Sequence, residues 1–115
     1  YTLAPGGAVD QSVRLWWPVA EGLAVLAMLQ KLDPRPPEVV WYARLHDFAR
    51  AHFIDSRHGG WHPELGDDGL PAASIFHGKP DIYHALQADL LALVPGVSGV
   101  FDGLRKQRQA GSDTQ

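Results

Sequence analysis

Six consecutive residues, Lys79, Pro80, Asp81, Ile82, Tyr83 and His84, bring a cation, a carboxylate, a phenol and an imidazole to the head of an apolar run. Pro80 stops whatever precedes it, and Asp81 is placed to cap a helix, which puts His84 at the third helical position. Unpaired backbone N–H groups and the positive end of the helix dipole meet there. Imidazole is the side chain best suited to moving protons near neutral pH, so the stretch could carry acid–base chemistry. A lone histidine at a helix start also serves structural ends, and spacing by itself does not choose between the two.

A second constellation lies at residues 15–21, reading LWWPVAE. Trp17 and Glu21 are four apart and share a helix face, with Trp16 beside them. A tryptophan face stacks on the apolar face of a sugar ring while a carboxylate accepts hydroxyl protons, so the pair suits a carbohydrate. Two core tryptophans and a glutamate favoured in a first helical turn account for the same spacing. The six histidines (His46, His52, His58, His62, His77, His84) raise the question of a metal. Gly59 and Gly60 between His58 and His62 spoil a helical ligand pair, and there is no cysteine and no HExxH, so no metal is expected. Nucleotide-binding glycine motifs and the GxSxG serine-hydrolase motif are absent from the sequence as well.

Composition narrows the partners. The net charge is −3, and basic residues cluster only in a short RKQR near the end, so no nucleic-acid surface is expected. The longest apolar stretch, Leu15 to Leu29, is interrupted by Pro18 and Glu21 and falls short of the roughly 20 residues of a membrane span. The lack of cysteine fits a reducing compartment, and a cytoplasmic location is expected. The chain opens at Tyr1 with no charged n-region, like sequence from the middle of a protein.

The elements that must position these residues follow from periodicity and punctuation. Residues 1–14 contain Pro5-Gly6-Gly7 and suggest a turn or hairpin. Leu15–Leu32 is apolar almost all round and predicts a buried helix with Pro18 in its first turn. Pro37–Ile54 predicts an amphipathic helix with Trp41, Leu45, Phe48 and Phe53 on its inner side. Residues 59–73 read as a short β-hairpin or loop around Gly66-Asp67-Asp68-Gly69. A second apolar helix follows Asp81 to about Val94, and a last amphipathic one spans about Val97 to Gln107. Residues 109–115 are expected to be disordered. Alternating buried and amphipathic helices suit an α/α barrel, whose inner ring is covered on both sides and outer ring on one. Two such pairs cannot close a ring.

Taken together, WWPVAEGL, then ARLHDFARAHFID followed by GGWHPEL, then GKPDIYHALQA, resemble the C-terminal part of the N-acylglucosamine 2-epimerase superfamily. That family includes N-acylglucosamine and cellobiose 2-epimerases, D-mannose isomerases and sulfoquinovose isomerases. The resemblance covers residues 1 to about 104. It implies an all-α fold, a partial (α/α)6 barrel over residues 1–108, and proton transfer beside a sugar carbonyl without metal or other cofactor. It further implies that His84, in K-x-D-x-Y-H, is a general acid/base. Trp17 and Glu21, with Trp16, match the sugar-contacting W-W-x-x-x-E, and Lys79 and Asp81 match a positioning lead-in. The YHALQ form looks more like the mannose and sulfoquinovose isomerases than like epimerases that read FHVPR, which favours aldose–ketose isomerisation.

A departure from the family pattern is length. The family's second catalytic histidine, on an upstream H-x-x-E helix, and its arginine have no counterpart here. The chain therefore looks like the last third of an enzyme that would act on a monosaccharide or small sugar only with an upstream barrel segment, on the same or a second chain. A 2-epimerase of the same superfamily is the nearest alternative. A non-catalytic carbohydrate-binding helical domain using Trp16, Trp17 and Trp61 is the alternative of another class.

Overall fold

The structure, a computed structural model, describes residues 2–112. Four α-helices dominate it, with two small two-stranded antiparallel sheets. Strand β1 (Thr2–Leu3) pairs with β2 (Val9–Gln11) around the glycine turn expected from Pro5-Gly6-Gly7, where Gly7 takes a positive φ. Tyr1 lies outside the described residues. Strand β3 (Arg14–Leu15) leads directly into α1 (Trp16–Leu32), and β4 (Glu64–Leu65) pairs with β3, setting Leu15 opposite Glu64. The 59–73 loop also folds back on itself through a bridge between Leu65 and Pro71, so the expected hairpin forms locally. Its pairing with β3 is long-range.

Helix α1 has no side-chain cap; instead the Trp16 N–H donates to the carbonyl of Pro63, 3.1 Å away. Pro18 falls in the first turn, where a missing N–H costs nothing. Helix α2 (Pro36–Phe48) starts on two prolines and continues as a π-helical turn, Ala49–Phe53. Helix α3 (Ile82–Leu93) is capped by Asp81, whose carboxylate accepts the Tyr83 N–H at 2.9 Å. Helix α4 spans Val100–Ser112. It starts later and runs longer than expected, so residues 109–112 are helical rather than disordered, and 113–115 lie outside the described residues.

The core joins α1 (Trp16, Ala20, Leu23), the π turn (Ala49, Phe53), the loop around β4 (Trp61, Leu65) and α3 (Ala88). Small residues let α1 meet its neighbours closely: a Cβ on Gly22 would stand 2.8 Å from Leu45 of α2. Trp41 departs from the expected inner stripe of α2. It is 58% exposed, with the Arg44 guanidinium 5.4 Å above its ring, while Tyr42 packs on the core instead. Leu45, Phe48 and Phe53 of that stripe do pack on the core, so the departure is confined to the residue nearest the start of α2.

Helices α1 and α3 are not covered all round. Val25, Leu29 and Leu32 of α1 and Ile82, Leu86 and Leu93 of α3 are exposed. The two helices run parallel. Glu21 meets His84 near their starts, and Lys31 at the end of α1 donates through Nζ to the carbonyls of Leu91 and Val94, satisfying the last turn of α3. That alignment brings the N-terminal turns of both helices to the same end of the molecule.

Candidate active site

At that end, His84 of α3 and Glu21 of α1 are 63 residues apart in sequence, yet His84 Nδ1 lies 2.7 Å from Glu21 Oε1. An ionised carboxylate can only accept, so Nδ1–H is the donor and Nε2 is the nitrogen left to take or give a proton. Three aromatic rings surround the imidazole. Tyr83 is edge-on at 5.0 Å between centroids, Trp16 edge-on at 6.2 Å, and Trp17 tilted at 6.3 Å. Trp16 is buried and part of the core, whereas Trp17 is 42% exposed. Both members of the pair keep solvent access, with side chains 28% (His84) and 37% (Glu21) exposed. The site is thus a proton-transfer group oriented by a carboxylate and flanked by an exposed indole.

Of the residues singled out from the sequence, the fold brings His84, Glu21, Trp16 and Trp17 together. Asp81 caps the helix that carries His84. Lys79 does not join the cluster; its Nζ pairs at 2.6 Å with Asp55, which also accepts the Arg57 and His58 N–H groups and the His58 ring at 3.2 Å. The Lys79 ammonium, foremost, and these other donors hold the Asp55 carboxyl well below the usual carboxylate range. Lys79 therefore ties the loop after the π turn to the lead-in of α3. Asp55 went unassigned in the sequence because its partner is 24 residues away. Glu64 was missed for the same reason, lying in the quoted WHPEL with nothing nearby to suggest what it binds.

Elsewhere, Tyr42 stacks on His46 at 6.1 Å, and both residues line a cavity of about 380 Å³ with Asp89. Burial, then the Asp89 charge, raises the Tyr42 pKa. Burial also raises that of Asp89, against the pull of His46. A groove of about 610 Å³ follows α4 past Phe101 and Arg108 and contains none of the His84 cluster. Among the described residues, no three of His, Cys, Asp and Glu converge to hold a metal ion, and no helix is long and apolar enough to cross a membrane.

A helical protein with a paired histidine and carboxylate between parallel helices is the class that fold and site define, and comparison with known proteins specifies it. Residues 1–88 match the N-acylglucosamine 2-epimerase (GlcNAc 2-epimerase) family, and the chain belongs to that family of isomerases and epimerases. It is 39% identical over 82 residues to a D-mannose isomerase of Pseudomonas cannabina pv. alisalensis, covering 71% of this chain and 20% of that protein. A D-mannose isomerase of Thermobifida fusca is 39% identical over 84 residues, with the same coverage of each chain. Among solved structures, a D-mannose isomerase superposes with a TM-score of 0.69 at 26% identity, covering 81% of this chain and 24% of that one. A cellobiose 2-epimerase from Spirochaeta thermophila DSM 6192 gives 0.64 at 26% identity, covering 76% and 22%. The chain spans about a fifth of the length of the relatives it matches.

Proposed function

We propose that this chain is the C-terminal portion of an (α/α)6 barrel and that the complete protein is an aldose–ketose isomerase of the mannose/fructose type. In this reading α1 and α3 belong to the inner ring and α2 and α4 to the outer. The parallel course of α1 and α3 supports it, as do their exposed apolar side chains, which neighbouring barrel helices would cover. The observation that carries the catalytic reading is the 2.7 Å contact between His84 and Glu21.

After the sugar ring opens, a base removes the proton from C2 and the electron pair passes to the carbonyl oxygen, giving an enediolate. Reprotonation at C1 yields the ketose; reprotonation at C2 yields the epimer. His84 would exchange one of these protons through Nε2, with Glu21 fixing its tautomer and ring orientation. The second base would come from outside this chain. Trp17 would stack on the sugar, with Trp16 behind it and Glu21 also within reach of a hydroxyl. Negative charge developing on the enediolate would meet the positive ends of two helix dipoles, an arrangement that favours the charged transition state. Asp81 and Lys79 serve by holding the start of α3.

Incubating the complete protein with D-mannose in heavy water tests this. Fructose carrying solvent deuterium at C1 is the expected product. Deuterated aldose epimers without ketose would instead support a 2-epimerase, the reading favoured by the likeness to the cellobiose 2-epimerase structure. Binding with no exchange at all would leave a carbohydrate-binding domain.

A further inference from the structure

We propose that Glu64 is a positioning residue for this site, holding the segment Ser74–Phe76 so that the Phe76 ring backs Trp16 against His84; the proposal rests on the sugar-transforming reading above. Glu64 is completely buried, and no Lys, Arg or His among the described residues pairs with it. A buried carboxylate without a cation is costly unless hydrogen bonds satisfy it. Four donors do so here. The Ser74 N–H and hydroxyl both reach Oε1, the hydroxyl at 2.7 Å; the Ile75 N–H bridges both oxygens at 3.1 and 3.0 Å; and the Phe76 N–H reaches Oε2 at 3.1 Å. Burial alone pushes the Glu64 carboxyl up, but these bonds together outweigh it and hold it below its ordinary value.

The backbone of Glu64 is already fixed by β3 and by the Ala72 N–H, which donates to its carbonyl at 3.0 Å. What the carboxylate adds is the course of residues 74–76, which lie outside every helix and strand. Phe76 meets Trp16 edge-on at 5.2 Å, and Trp16 meets His84 at 6.2 Å. The buried anion thus sets the aromatic wall behind the imidazole through hydrogen bonds that go to residues 74–76, not to His84 or Glu21.

Glu64→Gln is nearly isosteric but turns an NH2 group toward N–H donors, whichever way the amide faces. In the complete protein, turnover of D-mannose by this variant should show KM raised about tenfold with a smaller change in kcat, because a misplaced wall weakens binding in ground and transition states alike. Hydrogen exchange at the amides of 74–76 should accelerate. Phe76→Ala should reproduce the kinetic change while leaving those amides protected. Accelerated exchange in Glu64→Gln with unchanged KM and kcat would overturn the proposal, as would wild-type kinetics in Phe76→Ala, the deciding variant if Glu64→Gln fails to fold. Should the wild type leave mannose unchanged, the functional reading fails by itself. The proposal is then decided by the NMR signals of the His84 ring: both variants should shift them through Trp16, and signals unmoved by either overturn it.

Discussion

Among the described residues two histidine–carboxylate pairs come within hydrogen-bonding distance, and they differ in how they are held. His84 and Glu21 come from separate helices, and their contact exists only because α1 and α3 lie parallel. His58 and Asp55 are three residues apart in one loop, where the 3.2 Å contact follows from the local turn. Asp55 is already engaged by Lys79 and two backbone N–H groups, so His58, with its side chain 66% exposed, adds a minor contact to a carboxylate satisfied without it. Glu21 lacks such competitors, so His84 supplies its main polar partner among the described residues. The same residue pair thus makes an oriented imidazole at one place and a loop staple at the other; what separates them is which group the carboxylate serves first.

The largest effect that would sharpen this contrast is on His84. In the complete protein, His84→Gln should lower kcat by about 10² to 10⁴ with little change in KM, the range for removal of a positioned acid/base. Near-normal turnover would make His84 structural. Next, Glu21→Gln keeps the shape but removes the charge that fixes the imidazole. Loss of a hydrogen bond to a charged group costs about 1.5–3 kcal/mol, or one to two decades. If the orienting role dominates, the loss appears in kcat; if sugar contact dominates, it appears in KM. A Glu21→Gln protein unchanged in both would reduce this pair to the level of the other.

A smaller effect concerns pH. The folded-state pKa values of Asp55 and Glu64 are lowered, so each contributes stability that is fully present above its ordinary value, 3.8 or 4.5, and is lost as pH falls through the lowered folded value. Urea midpoints of the complete protein should therefore drop as pH falls below those ordinary values, and Glu64→Gln should flatten part of that drop. A midpoint independent of acid would contradict the assignment. The smallest effect is His58→Ala, which should change stability by no more than about 0.5 kcal/mol and leave kcat and KM alone. A loss of activity there would erase the distinction between the two pairs.

Much of the scaffold was legible because its signals are local. Asp81 caps α3 as its position demanded, Pro18 fell in the first turn of α1, and the prolines after Leu32 ended that helix. Trp41 misled because an apolar residue near the stripe of a solvent-facing helix costs little on either side, and a cation over its ring suffices. Helix α4 runs past Gln107 and through Gly111, a residue that more often ends a helix, and the pairs of Asp102 with Arg105 and Lys106 brace its first turns.

By itself the sequence determined the order of the helices, the Asp81 cap of α3, the kinds of side chain available for chemistry, and the family, since each is written in runs of neighbouring residues. Tertiary structure alone decided that Glu21 faces His84, that Lys79 belongs to Asp55, and that Glu64 gathers the N–H groups of 74–76. These contacts join segments 10 to 63 residues apart. Spacing along the chain fixes which face of a helix a side chain occupies; which partner that face meets depends on how the helices pack, and that is set by the summed burial of the core rather than by any one motif.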